Sequence, residues 1–113
     1  MSKAIVTGGG GFIGSNLVDK LVEIYDKVII IDNESADSNE QFYYNDKAEK
    51  HLLNVCDYKN TRPLYDGVDC VFHLAACTSI WLKNEEDYFN INVNGTNNIL
   101  DIAYELKIKK TVI

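Results

Sequence analysis

The sequence predicts an α/β fold in which a doubly wound parallel sheet lies between two layers of helices. Apolar runs typical of buried strands alternate along the chain with stretches of helical periodicity. A glycine-rich turn separates the first strand from the first helix. Strands that alternate with helices are joined by right-handed crossovers and are therefore parallel. The 113 residues contain no linker or repeat, so residues 1–113 are predicted to form one domain.

The first βαβ unit predicts a dinucleotide site. The apolar run 4–6 enters the turn 7–14, a helical pattern follows, and a second apolar run ends at Asp32. Three spaced glycines of the turn, Gly8, Gly11 and Gly14, allow a tight bend, a close approach of backbone to a pyrophosphate, and close packing of helix on sheet. The N terminus of the helix offers N–H groups and a positive dipole end to the anion.

The acidic residue Asp32 indicates whether NAD or NADP is the preferred dinucleotide. It lies 18 residues after Gly14, a spacing that suits a carboxylate accepting hydrogen bonds from the adenosine ribose. A 2′-phosphate would be repelled there, so NAD is expected rather than NADP. A plain glycine-rich surface turn is the alternative interpretation. A P-loop is excluded because Ser15 and Asn16 replace the required Lys-Ser/Thr pair.

Beyond Asp32 the chain continues to alternate between loop, strand and helix signals. The predicted elements are a loop at 34–45 with a short helix around 41–48, a modest strand at 50–55, a short helix at 57–65 broken near Arg62 and Pro63, a buried strand at 69–74, a long helix at 85–106, and a strand beginning at 110.

The long predicted helix, 85–106, carries two apolar stripes. At ~100° per residue, one stripe contains Ile91, Gly95, Ile99, Ile102 and Leu106, and the other contains Phe89, Val93, Thr96, Leu100 and Ala103. Because this arc is wider than packing on a sheet requires, the helix is expected to meet another helix or a second subunit as well, as in a homo-oligomer. Asn92 falls within the arc and is expected to be buried, either as a structural amide or near the cofactor.

Composition and charge limit the partners and the compartment. A net charge of −6 opposes binding to a nucleic-acid backbone. No apolar run approaches the ~20 residues of a membrane span, and no signal-peptide pattern precedes the first strand. A cytoplasmic protein without nucleic-acid or membrane partners is expected. Cys56, Cys70 and Cys77 are expected to be reduced, buried thiols, with a metal site or a nucleophile as the alternative.

Four segments of the chain resemble the extended short-chain dehydrogenases/reductases, in particular the NAD-dependent nucleotide-sugar epimerases and dehydratases of the UDP-glucose 4-epimerase type. They are TGGGGFIGSNL at 7–17, IDN at 31–33, VFHLAA at 71–76 and NVNGTNNIL at 92–100. The resemblance implies a Rossmann-type domain, an NAD cofactor and a nucleotide-sugar substrate. It also implies a reaction in which a sugar hydroxyl is oxidised by hydride transfer to NAD and the hydride is later returned.

The resemblance also implies which residues line the cofactor. Phe12 and Ile13 join the glycine turn around the pyrophosphate, and Asn33 lies beside Asp32 at the ribose. The remaining implied residues are Leu74, Ala75 and Ala76 as a backbone wall, and Asn92 as support for the loop at the reactive end of the cofactor. For the two alanines, plain helix–sheet packing is the alternative.

Three departures from the family pattern limit the prediction. Asn54, before Val55, replaces a usual acidic residue at the adenine, where its amide oxygen could accept a hydrogen bond. The stretch between His73 and Asn92 is about two residues shorter than in many relatives, so the segment 78–81 does not identify a substrate.

The third departure concerns catalysis. The family uses a downstream Ser or Thr and a Tyr-x-x-x-Lys pair as acid and base, and residues 1–113 end before them. Tyr43-x-x-x-Lys47 has the spacing but follows the wrong end of the cofactor. No catalytic residue and no metal ligand is therefore predicted. Two hypotheses remain: the NAD-binding part of an epimerase or dehydratase that is inactive alone, or a stand-alone NAD-binding or interaction module.

Overall fold

The fold was analysed in a computed structural model that describes residues 1–34, 41–75, 86 and 89–113. Among these residues, five strands form one parallel sheet in the order β3-β2-β1-β4-β5. The strands are β1 (Lys3–Thr7), β2 (Lys27–Asp32), β3 (Glu49–Leu52), β4 (Cys70–His73) and β5 (Lys110–Val112). The helices are α1 (Phe12–Leu21), α2 (Tyr58–Thr61) and α3 (Gly95–Glu105), with a 3₁₀ turn at Arg62–Tyr65 and a π-helical turn at Asn90–Asn94.

The central strands are covered on both faces, which confirms the predicted three-layer fold. Successive side chains of a strand point to opposite faces of the sheet. Ile5 of β1 therefore packs in one core with Ile99 and Ile102 of α3. Its neighbour Val6 packs in a second core with Val18 of α1. Helix α1 contributes to this second core through residues spaced three and four apart, the pattern of an amphipathic helix.

The long predicted helix is interrupted in the structure. Residues 86 and 89 are helical, a π-helical turn covers Asn90–Asn94, and α3 ends one residue before the predicted end, while residues 85, 87 and 88 lie outside the described residues. The first apolar stripe packs as predicted, since Gly95, Ile99 and Ile102 are buried. The second stripe is largely exposed, and Leu100 keeps 42% of its surface accessible.

The expectation that Asn92 is buried is wrong. Its side chain is exposed, and its backbone carbonyl accepts a hydrogen bond from the Thr96 hydroxyl at 2.8 Å. A π-helical turn places more residues in each turn than an α-helix does. The rotation of about 100° per residue that assigned Asn92 to the apolar arc therefore does not apply across Asn90–Asn94.

The short helix suggested around 41–48 is not formed, because this segment bonds to other parts of the chain. The Tyr43 amide donates to the Gly10 carbonyl at 3.0 Å, and the Asn45 side chain donates to Asp19 on α1 at 2.8 Å. The strand expected at 50–55 covers Glu49–Leu52. It stops before Asn54, whose side-chain oxygen accepts from the Cys56 amide at 2.8 Å and turns the chain.

In the part of the chain that the structure describes, no helix is long and apolar enough to cross a membrane. The same residues contain no group of three or more His, Cys, Asp or Glu side chains that could hold a metal ion. Cys70 is a buried free thiol as expected, whereas Cys56 is a free thiol that is only half-buried. Burial raises the pKa of both thiols, which favours their protonated form. Cys77 lies outside the described residues.

Candidate dinucleotide-binding site

The candidate site lies where the strand order reverses. From β1 the chain adds β2 and β3 on one side, then crosses to add β4 and β5 on the other. The carboxyl ends of β1 and β4 are neighbours, with Thr7 paired to His73. Open α/β sheets bind ligands in the crevice outside such a switch point. The glycine turn follows β1 directly into this crevice.

Two of the predicted glycines are required by the backbone packing of the turn. Gly8 has φ +70°, and a Cβ built on it would lie 3.0 Å from the Ala75 backbone nitrogen. A Cβ on Gly14 would overlap the carbonyl oxygen of Gly8. The turn therefore folds tightly against the end of β4, and α1 begins in direct contact with the turn, as a pyrophosphate cradle requires.

The N terminus of α1 retains its positive end. Gly11 is the N-cap residue, so no side chain caps the helix, and the first turn contains no acidic residue. The first turn of α1 therefore places no negative charge of its own at the positive end of the helix dipole. The next two residues, Phe12 and Ile13, keep 76% and 71% of their surface exposed, although both are large and apolar. Such side chains are available to cover a ligand seated on the turn.

Asp32 lies at the end of β2, beside the glycine turn. Its side chain is buried, with 8% exposed, and its two oxygens accept hydrogen bonds from the backbone amides of Gly10 at 3.0 Å and Glu34 at 2.8 Å. A carboxylate offers about four lone-pair positions, so Asp32 can brace the turn and still accept from ribose hydroxyls. Asn33 follows it with an exposed side chain.

The predicted backbone wall is tied to the end of β1. The amides of Leu74 and Ala75 both donate to the Thr7 hydroxyl, at 3.0 and 3.1 Å. Ala76 lies outside the described residues. On the adenine side, Asn54 is exposed, and its amide oxygen is already used within its own turn. The Val55 side chain belongs to the core, and its backbone carbonyl accepts a hydrogen bond from the Asn98 side chain at 2.6 Å.

A hydrogen-bonded chain of side chains at the site was not predicted from the sequence. The Thr7 oxygen lies 2.7 Å from His73 Nδ1, and His73 Nε2 lies 3.0 Å from the Thr96 oxygen. Because two amides already donate to Thr7, its own proton is directed to Nδ1, and Nε2–H then donates to Thr96. Thr96 donates onward to the Asn92 carbonyl. Burial lowers the pKa of His73, in agreement with this neutral ring.

A second cluster surrounds Gly10. The Tyr44 hydroxyl donates to Glu34 Oε1 at 2.8 Å, and the Lys50 ammonium lies 4.5 Å from the centre of the Tyr44 ring. Tyr43, the tyrosine of the Tyr-x-x-x-Lys spacing, is largely exposed and is held to Gly10 through its backbone. No local sequence signal marks Tyr44 as part of the site, since Gly10, against which its ring packs, lies 34 residues earlier in the chain.

The strand order and the glycine turn define an α/β protein of the Rossmann class. The model of the 3-beta hydroxysteroid dehydrogenase/isomerase family matches residues 5–113. The chain belongs to this family. The resemblance seen in four sequence segments is thereby confirmed, since the relatives include nucleotide-sugar epimerases.

Three relatives illustrate the match. A UDP-N-acetyl-alpha-D-glucosaminuronate decarboxylase from Bacillus cytotoxicus is 33% identical and aligns with 98% of this chain and 35% of its own length. The crystal structure of Thermotoga maritima UDP-glucose 4-epimerase with UDP-glucose is 32% identical, with a TM-score of 0.85 over 96% of this chain and 36% of that one. The structure of MoeE5 with UDP-glucuronic acid and NAD shares the fold at 22% identity, with a TM-score of 0.80 over 97% of this chain and 35% of that one. The chain thus spans about a third of the length of these proteins.

Proposed function

We propose that residues 1–113 form one domain that binds NAD at the glycine turn. The pyrophosphate would lie on the N terminus of α1, near Gly8, Gly11 and Gly14, and the adenosine ribose would lie on Asp32. The observation that carries this proposal is the Asp32 carboxylate, which braces the Gly10 amide and still has acceptor positions left. The structure of MoeE5 with UDP-glucuronic acid and NAD, which shares this fold, supports the same cofactor.

The other proposed contacts follow from exposure and backbone position. Phe12 and Ile13 are exposed beside the pyrophosphate position, and Asn33 is exposed beside the ribose. The backbone of Leu74 and Ala75 borders the same crevice through Thr7. The remaining members of the proposed site are Asn54 and Val55 at the adenine, Ala76 in the wall, and Asn92 at the reactive end.

We propose further that this domain serves a nucleotide-sugar epimerase or dehydratase. Bound NAD supplies a hydride acceptor for a sugar hydroxyl. The residues of this chain hold the cofactor in place, and the names of the relatives favour a nucleotide sugar as the substrate. Because residues 1–113 contain no Tyr-x-x-x-Lys pair at the substrate end, the polypeptide of these residues is proposed to have no turnover alone. A rise in NADH absorbance, or epimerisation of added UDP-glucose, would contradict this proposed lack of turnover.

Calorimetric titration with NAD tests the proposed site. Gly11→Val should abolish measurable binding, because a branched side chain would fill the space of the pyrophosphate. Asn54→Ala should retain binding, because it removes at most one adenine contact. Equal affinities of the two variants would show that the glycine turn is not the phosphate site.

We also propose that the exposed apolar stripe pairs with a second copy of the chain. Phe89, Val93 and Leu100 are all exposed on the helical segment that includes α3. A two-fold contact between identical stripes would bury them. Sedimentation at low micromolar concentration should give a dimer for the unmodified chain and a monomer for Leu100→Glu. The control Lys20→Gln lowers the net charge by the same unit at an exposed position of α1, which packs on the opposite face of the sheet, and should remain dimeric.

A further inference from the structure

Gly10 has no side chain because the ring of Tyr44 occupies that space. A Cβ on Gly10 would lie 2.6 Å from the Tyr44 ring. The ring is fixed there from both sides: the neighbouring Tyr43 amide donates to the Gly10 carbonyl at 3.0 Å, and the Tyr44 hydroxyl donates to Glu34 at 2.8 Å. Segment 43–44 is therefore docked on the middle of the glycine turn.

Glu34 is held at both of its ends. Its amide donates to Asp32 Oδ1 at 2.8 Å, and its carboxylate accepts from Tyr44. Its backbone has φ +57°, which is uncommon for a residue other than glycine and indicates that these contacts determine its conformation. Burial and the hydrogen bond to Glu34 raise the pKa of Tyr44, so the phenol keeps the proton that it donates.

The result is a pair of carboxylates beside the turn. Asp32 is the last residue of β2, and Glu34, two residues further on, is joined to it by the Glu34 amide and to Tyr44 by its own carboxylate. The Lys50 ammonium lies over the face of the Tyr44 ring and brings a positive charge to this cluster. A dianionic group entering here would meet two negative charges and one positive charge.

We propose that Glu34, positioned by Tyr44, is a second residue that selects NAD over NADP. This inference rests on the proposed NAD site. Asp32 binds the ribose hydroxyls, whereas Glu34 acts by repulsion on a 2′-phosphate and makes no bond to NAD. Glu34 is exposed, so solvent screens its charge, but like charges that approach within a few ångströms still repel each other. Rejection of the wrong ligand is a common source of specificity.

The test compares the affinities of Glu34→Gln for NAD and NADP with those of the unmodified chain. Titrations followed by amide chemical shifts give the dissociation constants, up to the millimolar range. Glutamine keeps the acceptor for Tyr44 and removes the charge. The ratio of the NADP to the NAD dissociation constant should fall about tenfold. Tyr44→Phe, which frees the Glu34 carboxylate without removing it, should lower the same ratio by about threefold.

Glu23→Gln is the matched control. Glu23 is an exposed carboxylate just past the other end of α1, and its loss should leave the ratio unchanged. A ratio in Glu34→Gln within twofold of the unmodified chain, or an equal fall in the control, would overturn the role of Glu34. Either result would refute only the role of Glu34, because NAD would still bind to the unmodified chain. Failure of the unmodified chain to bind NAD would instead overturn the proposed function and this inference together.

Discussion

Replacing Thr7 by valine removes one hydroxyl group from the junction between β1 and β4 while keeping the shape of the side chain. Thr7 is fully buried. Its hydroxyl oxygen accepts hydrogen bonds from the Leu74 and Ala75 amides, and its O–H group donates to His73 Nδ1. Leu74 keeps a second acceptor, the Thr7 backbone carbonyl at 3.2 Å. Among the described residues, Thr7→Val therefore leaves two groups without their hydrogen-bond partner: the Ala75 amide and His73 Nδ1.

An unsatisfied buried polar group costs about 1–3 kcal/mol. His73 is buried and Ala75 is partly exposed, so the second group costs less than a fully buried one. Together they should lower the free energy of unfolding of Thr7→Val by about 2–4 kcal/mol, a large part of the ~5–15 kcal/mol typical of a domain. Thr7→Ser is the matched variant. It keeps the hydroxyl and loses one buried methyl group, which costs about 1 kcal/mol.

Urea unfolding followed by circular dichroism measures both variants under one set of conditions. The hydrogen-bond argument predicts that valine destabilises the fold more than serine does. If Thr7→Val is as stable as the unmodified chain, or if serine is the more damaging change, the hydroxyl does not hold the two strand ends together.

Three further predictions concern single residues. Asp32→Ala should weaken NAD binding by about 1–3 kcal/mol, the scale of a hydrogen bond to a charged group; unchanged affinity in calorimetry would mean that another acid holds the ribose. Burial lowers the pKa of His73 below its usual 6.5, so the unfolded chain binds a proton that the folded chain does not. The free energy of unfolding should thus fall as pH drops below about 6.5, and this dependence should weaken in His73→Gln; an identical pH profile would refute the neutral ring. Tyr65 has a buried hydroxyl without a partner among the described residues, so Tyr65→Phe should leave urea stability unchanged or raise it by up to about 1 kcal/mol, and a clear loss would contradict this.

The parts of the fold that depend on local pattern were predictable. Apolar runs marked β1, β2 and β4, and the three spaced glycines marked the turn, because tight turns and buried strands place direct demands on residue type. The break of the short helix at Arg62–Tyr65 followed from Pro63, which restricts the backbone before it.

The parts that depend on distant contacts were not predictable. The chain from Thr7 through His73 to Thr96 requires the register between β1 and β4, which no local signal fixes. The docking of Tyr44 on Gly10 joins residues more than thirty positions apart. The π-helical turn at Asn90–Asn94 shifted the helical faces, so periodicity alone placed Asn92 incorrectly.

Amide chemical-shift mapping of the isotope-labelled chain with NAD tests the central claim most directly. The account predicts that NAD shifts the amides of the glycine turn 8–14, of Asp32 and Asn33, and of Leu74 and Ala75. The amides of β5 and of the 3₁₀ turn Arg62–Tyr65 should stay in place. Shifts confined to other parts of the chain, or no shifts at millimolar NAD, would contradict the assignment of this crevice as the cofactor site.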